Sequence, residues 1–411
     1  MRLKYQKPNG FYYRVAQAAA WVLATCVFRR TFLRNELKGK RGPFVVIANH
    51  QAALDFVTLI GATRRKMTFV ISQAFYSTLP IKGILNKLGV IPKQQFQTTT
   101  KDLKRMKAVI EHGEPLVIYP AGLMCEDGLS TPIPSATYKF LKWMDADVYV
   151  ARTSGTYFVM PKWGKGMRPG KTHMDIYRLF TREELAELDV ATIQKKTDEA
   201  LLFDAYREQE TLQVVYKGGN IEGIEHVLYR CPHCGTEFSV RVENGNTLVC
   251  DRCGFAEESD QYGFLHNRSG VGEEVRYVSD WSRFVYESAK ELIVSGRETE
   301  LSCAVTVRMV DHAAQKFCDV GQGVLTLSKE GFLLDGTVQG EAVSVVVPIT
   351  QVPILPFSPG KHLELQQGDV IYRCVPEDGH LVMKFIHFVK AFYEINKAKR
   401  DEKGTVPCEV S

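Results

Sequence analysis

His50 and Asp55 are the side chains whose types and spacing offer chemistry most directly, an imidazole and a carboxylate in Asn49-His50-Gln51-Ala52-Ala53-Leu54-Asp55. On one continuous α-helix, residues five apart point about 140° away from each other. They meet only if His50 precedes a helix that holds Asp55 in its first turns. There the carboxylate accepts one imidazole N–H, fixes the tautomer and leaves the other ring nitrogen as a general base, which is hydroxyl-activating chemistry. A helix cap beside a satisfied surface histidine uses the same residues without chemistry.

The surrounding elements must supply that junction. Phe44-Val45-Val46-Ile47-Ala48 reads as a buried strand, and the amphipathic run 52–62 reads as the helix after it. Downstream the pattern alternates: strand 67–71, helices 81–88 and 101–112, strand 115–119, helix 136–144, strand 147–151 and an alternating run 172–180. Such alternation predicts an α/β layer with a largely parallel sheet, its active edge at strand ends. Thr181-Arg-Glu-Glu184 has the form of a capping box opening a long polar helix, a connector through 181–222.

Asn49-His50, four residues and Asp55 resemble the first motif of the 1-acylglycerol-3-phosphate acyltransferase (glycerolipid acyltransferase) family. The similarity extends over residues 10–180. The resemblance implies His50 as base, Asp55 as its orienter, Asn49 beside the substrate and a fatty acyl thioester, acyl-CoA or acyl-carrier protein, as electrophile. Gly89-Val90-Ile91-Pro92-Lys93-Gln94-Gln95 resembles the second motif, with Gln95 where the family has a phosphate-gripping arginine. Lys93 can meet phosphate as a point charge without a bidentate fork. Tyr119-Pro120-Ala121-Gly122 resembles the third motif, with Ala121 for its glutamate and Leu123 and Met124 for its threonine and arginine. Read alone, Pro120 and Gly122 mark a tight loop after a strand. Val150-Ala151-Arg152 stands at the fourth motif, where Arg152 is either a replacement phosphate contact or a surface charge. The expected reaction is direct acyl transfer to a lysophospholipid hydroxyl, 1-acylglycerol-3-phosphate first among acceptors, with backbone N–H groups near Gly122 facing the oxyanion. The missing cations keep two alternatives open: a non-phosphorylated acceptor, or a catalytically inactive lipid-binding scaffold.

At 411 residues the chain is long enough for several domains, and 45% hydrophobic with 24% charged residues is globular composition. Residues 1–40 carry nine Lys or Arg against Glu36; from a total of +5, that leaves +8 there and −3 on the rest. Between basic flanks runs Val15 to Phe28, fourteen mostly apolar residues. A spanning helix needs about 20. An in-plane amphipathic anchor is expected, Trp21 and Phe28 among the acyl chains and the cations at anionic headgroups. A core helix, a cleaved signal peptide and a lipoprotein signal ending at Cys26 compete with it; no small-x-small site leads into a plausible mature start, and threonine before Cys26 is atypical.

Cys231-Pro-His-Cys234 and Cys250-Asp-Arg-Cys253, with Asn244-Gly245 as a turn between alternating strands, have the spacing of a four-cysteine zinc ribbon. Four thiolates suit a closed structural zinc site. The other six cysteines, among them Cys408, show no paired spacing, which fits a reducing cytosol. Residues 225–260 carry three arginines against seven acids, so nucleic acid is excluded as a partner of the ribbon, and protein contact is not. A helix over 279–295, six strands between 303 and 375 and a closing helix 380–397 with one apolar stripe (Val382, Phe385, Phe388, Val389, Phe392) outline a β-rich domain resembling pleckstrin-homology modules. Eight basic and ten acidic residues over 301–397 favour protein contact over phosphoinositide capture.

The expected organisation is a basic membrane-associating helical segment 1–40, an acyltransferase domain with helical exit 41–222, the zinc ribbon 223–260, a helical linker 261–300, the β-rich domain 301–398 and a disordered tail 399–411. The expected location is the cytoplasmic face of the cell membrane, held peripherally or monotopically.

Overall fold

The computed structural model describes residues 5–404 apart from 80, 96–98, 312 and 369, with the backbone alone for 401–404. The chain forms two compact units. One runs to Asn220 and includes Ser259–Leu265; the other holds Ile221–Glu258 and the chain from His266 onward.

The first unit opens with α1 (Gly10–Cys26), β1 (Thr31–Asn35), β2 (Phe44–Ala48) and α2 (Asp55–Ile60). It continues through β3 (Thr68–Ser72), α3 (Gln73–Thr78), α4 (Lys82–Lys87), β4 (Ile91–Lys93), α5 (Thr100–Glu111) and β5 (Leu116–Ile118). Then come α6 (Ala136–Met144), β6 (Asp147–Ser154), α7 (Thr156–Val159), β7 (His173–Phe180), α8 (Arg182–Glu187), α9 (Val190–Leu201) and α10 (Ala205–Leu212). The strands form one mixed, mostly parallel sheet in the order β1-β7-β6-β2-β5-β3-β4, with β6 and β7 antiparallel.

β2 is central because all five of its residues are buried, which suits a β-branched run with neighbours on both edges and cover on both faces. Its Val45 and Ile47 join Val109 of α5, Leu116 and Ile118 of β5, Leu141 of α6 and Ile193 of α9 in one apolar core. The capping box at Thr181 and Glu184 is present. The single long helix expected after it is instead α8, α9 and α10, because Asp189 and Asp204 cap two new helix starts. The short edge strand β1 and the one-and-a-half-turn helix α3 are too brief to show a period, and both lie outside the expected elements.

α1 presents its small residues inward. Tyr13, Ala20 and Ala24 are buried, Gln17 donates to the carbonyls of Ile60 and Thr63, and Tyr13 Oη accepts from Met67 N at 2.9 Å. Phe11, Val15, Trp21 and Val22 are 51–72% exposed. Phe28, expected among acyl chains, is fully buried, because the chain turns back into the protein after Cys26. Among the described residues no helix is long and apolar enough to cross a membrane.

A four-stranded sheet, nearly all of it in the second unit, contains β8 (Val240–Glu243), β9 (Thr247–Cys250), β10 (Ala256–Ser259) and β11 (Leu265–Asn267), in the order β11-β10-β9-β8. Asn244 and Gly245 both take positive φ in the three-residue connection 244–246 between β8 and β9, where Asn246 N donates to the Glu243 carbonyl at 3.2 Å. After α11 (Val278–Val294) come β12 (Leu301–Asp311), β13 (Lys316–Ser328), β14 (Gly331–Val338), β15 (Glu341–Pro348), β16 (Phe357–Ser358), β17 (His362–Gln367) and β18 (Val370–Pro376). These seven form an antiparallel sheet in the order β15-β14-β13-β12-β18-β17-β16, closed by α12 (Leu381–Gly404). α12 continues to Gly404, into the stretch expected to be a tail; 405–411 lie outside the described residues, and Cys408 with them. The single apolar stripe expected on this helix is too narrow: residues 382–389 are buried all round, because α11 packs against α12 as well as the sheet.

Candidate active site

The parallel strands β2, β5, β3 and β4 end at one edge of the first unit, and the candidate residues follow those ends. His50 lies two residues beyond β2, and Asp55 opens α2. His50 Nδ1 is 3.0 Å from Asp55 Oδ2. The same oxygen accepts from Gln51 N at 2.7 Å and Ala52 N at 2.9 Å, so two backbone amides aim the carboxylate at the imidazole. Asp55 is 1% exposed, while the His50 side chain is 21% exposed. With the Nδ1 proton directed to Asp55, the lone pair of Nε2 is available for an incoming hydroxyl. Asp55 Oδ1 and Gln51 Nε2 are buried with no hydrogen-bond partner among the described residues.

Tyr119, at the end of β5, lies with its ring 4.5 Å from the His50 ring. Burial, with Asp55 nearby, pushes its phenol well above the ordinary range, so it stays neutral. The loop after it returns to the base: Cys125 N donates to the His50 carbonyl at 3.1 Å and Cys125 Sγ to the Gln51 carbonyl at 3.8 Å. Lys162, 4% exposed, donates to the Met124 carbonyl at 3.4 Å, and burial lowers its pKa to about 8.

Other expected site residues have different occupations. Asn49, 4% exposed, exchanges two hydrogen bonds of 2.8 Å with the backbone of Thr153, tying the end of β2 to β6 rather than facing a substrate. The Gly122 amide donates to the Tyr119 carbonyl at 3.0 Å, because a tight turn uses it; the expected oxyanion role does not fit that N–H. Pro120 and Ala121 complete the turn, and Gly122 takes a φ of 72°. Gln95, at the place of the arginine, donates to the Gly122 carbonyl at 2.6 Å and accepts from Ser72 Oγ at 3.3 Å. It therefore joins the ends of β3, β4 and β5. Lys93 is half-buried with its ammonium 3.0 Å from the Gln94 carbonyl, and desolvation lowers its pKa. Arg152 is ion-paired with Glu208 of α10. Tyr119, Gln95 and Lys162 escaped sequence reasoning: an aromatic, an amide and a lone lysine carry no spacing signal, and only the fold brings them to His50 or its loop.

In the second unit the sulfurs of Cys231, Cys234, Cys250 and Cys253 all lie within 4.8 Å of one another. Cys231 and Cys253 are 3.7 Å apart and Cys234 and Cys250 3.8 Å, far beyond a disulfide bond and right for the edges of a thiolate tetrahedron. Each knuckle closes alike: Gly235 N donates to the Cys231 carbonyl and Gly254 N to that of Cys250, both glycines at positive φ. The site is tied to its surroundings. Trp281 Nε1 of α11 donates to the Arg230 carbonyl at 2.8 Å, and Lys384 of α12, 8% exposed, bonds Glu237 at 2.8 Å and Glu298 at 2.7 Å.

A buried parallel strand runs into a histidine oriented by a helix-opening aspartate, and this junction lies within a stretch that matches a known family. Residues 29–165 match the family described as Acyltransferase, so the chain carries an acyltransferase domain. Among solved structures, the crystal structure of the 1-acyl-sn-glycerophosphate (LPA) acyltransferase PlsC from Thermotoga maritima is similar at 16% identity, over 49% of this chain and 78% of that one, with a TM-score of 0.40. No curated protein matches the chain.

Proposed function

We propose that this protein is an O-acyltransferase that moves a fatty acyl group from acyl-CoA or acyl-carrier protein to the hydroxyl of a lysophospholipid, 1-acylglycerol-3-phosphate first among candidates. The observation that carries the reading is the His50–Asp55 pair, aimed by two backbone amides at the end of a buried strand. His50 Nε2 takes the acceptor's hydroxyl proton as its oxygen attacks the thioester carbonyl. The tetrahedral intermediate then collapses, breaking the C–S bond, and the leaving thiolate takes the proton back from the imidazolium. Asp55, held 3.0 Å from Nδ1, steadies that cation. The family match over residues 29–165 supports acyl transfer.

A second acceptor class has its own support. Gln95, at the place where the family's motif has a phosphate-gripping arginine, and Arg152, read as either a replacement phosphate contact or a surface charge, hold Gly122 and Glu208 instead, which favours an acceptor without phosphate. Lys93 is the cation nearest the second motif that would meet a phosphate. The exposed Phe11, Val15, Trp21 and Val22 of α1 support a peripheral or monotopic place on a membrane surface, which we read as the cytoplasmic face of the cell membrane. The cysteine tetrahedron is read as a structural zinc site: four thiolates leave no open position, so the metal would stiffen the second unit without chemistry. The sheet order of the β-rich region and its closing helix support a pleckstrin-homology-like module for protein contact.

The test is His50→Ala assayed by mass spectrometry of lipid products, with 1-acylglycerol-3-phosphate and a monoacylglycerol offered in parallel. Turnover should fall by a factor of about 10²–10⁴. An unchanged rate overturns the reading, and the preferred acceptor decides between the two classes.

A further inference from the structure

Charge divides this chain more sharply than its N-terminal segment alone indicates. Residues 1–101 hold seventeen Lys or Arg and two acids, a net +15, while 102–411 sum to −10. Both acids are occupied: Asp55 is buried against His50, and Glu36 stands 3.9 Å from Arg34. Within this basic stretch, α3 and α4 expose Phe75 at 48%, Ile81 at 42% and Ile84 at 42%, and neither helix contains an acid. They adjoin the start of α1. Lys87 of α4 donates to Tyr12 Oη at 2.7 Å, Asn9 N donates to the Lys87 carbonyl at 2.7 Å, and Tyr76 of α3 donates to Asn86 at 2.7 Å. They also adjoin the candidate active edge. Ser72 caps α3 and bonds Gln95, which bonds the Gly122 loop, and the ring of Tyr119 before that loop lies tilted against His50 at 4.5 Å.

We infer that α3 and α4 are a second lipid-contacting surface, docking the mouth of the site onto an anionic phospholipid bilayer and completing the contact that α1 begins. Isolated apolar side chains on a soluble surface need no partner, but a group of them on two acid-free helices within a net-basic stretch matches an interface that is apolar below and anionic at its rim, although Lys7, Arg34, Lys40 and Arg65 of that stretch pair with acids further along the chain. The inference rests on the membrane placement proposed above and adds which elements face the lipid. Docked this way, an acyl chain would leave the bilayer beside α3 and reach His50 without crossing water.

The test is co-sedimentation of the full chain with phosphatidylcholine vesicles and with vesicles that also contain phosphatidylglycerol. Wild type should prefer the anionic vesicles and release with salt. Phe75→Ser with Ile81→Ser and Ile84→Ser should weaken binding by about tenfold or more. Phe75→Trp in a Trp21→Phe background is the second variant, and its emission should shift to the blue on adding anionic vesicles. Unchanged binding of the triple variant, together with an unshifted emission from the Phe75→Trp protein, overturns the inference. So does a dimer that the triple variant alone dissociates, since a second copy would then cover this face. His50→Ala should bind vesicles like wild type, so a failure of acyl transfer is read separately from a failure of docking.

Discussion

Replacing Asp55 by asparagine changes the charge behind the base and little of the shape. Asp55 Oδ2 accepts three hydrogen bonds, from His50 Nδ1 at 3.0 Å, Gln51 N at 2.7 Å and Ala52 N at 2.9 Å. An amide oxygen in its place turns three charge-assisted bonds into neutral ones, a loss of about 1 kcal/mol each. Two of the three belong to the backbone at the start of α2, so the fold should lose about 2 kcal/mol, visible as a lowered melting temperature. The third belongs to the imidazole. If the amide instead turns its NH₂ toward His50, the ring is driven to the other tautomer and Nε2 no longer accepts a proton. Turnover should then fall by about 10²–10⁴, as for loss of a positioned base, with KM for the thioester nearly unchanged. The assay is steady-state acyl transfer by wild type, Asp55→Asn, His50→Gln and the double variant. Because the two residues act as one unit, the double variant should be no slower than His50→Gln. Near-wild-type turnover by Asp55→Asn, or fully additive losses, would refute the proposed division of labour.

Native mass spectrometry should find one zinc per chain, and Cys250→Ser should lose it together with several kcal/mol of stability in the second unit, read by chemical denaturation. Retention of stoichiometric zinc by that variant would count against a four-thiolate site. His387 of α12 lies buried between the rings of Tyr229 and Tyr286, its Nδ1 without a hydrogen-bond partner among the described residues, and burial lowers its pKa to about 3. The folded state thus holds it neutral where the unfolded chain would be protonated. Its contribution is present above the unfolded value and is lost as pH falls from about 6.5 toward 3, reaching about 2 kcal/mol at pH 5. His387→Phe should flatten the denaturation midpoint against pH over that window; parallel slopes for the two proteins would exclude it.

Much of this was legible because it is local. The five-residue run of β2 is apolar at every position, the cysteine knuckles repeat within twenty-three residues, and Asn244-Gly245 can make few turns other than the one it makes. The substrate-side assignments fared differently. Asn49, the Gly122 amide and Arg152 were drawn from their place in motifs, and the fold gives them Thr153, Tyr119 and Glu208. A motif records which residue types stand near the site, whereas the bonds of Asn49 and Arg152 reach far along the chain and depend on the packing of β6 and α10.

By itself the sequence determined the histidine–aspartate spacing, the α/β alternation, the four-thiolate donor set and the charge asymmetry, because each is a property of residues close along the chain or of simple sums. Only the tertiary structure decided which donors aim Asp55, that Tyr119 lies against the base, that Gln95 ties three strand ends together, that Phe28 turns inward, and that α3 and α4 stand exposed beside α1. Those facts depend on which strand ends converge at one sheet edge, and convergence is set by long-range packing of buried apolar side chains that no local pattern encodes.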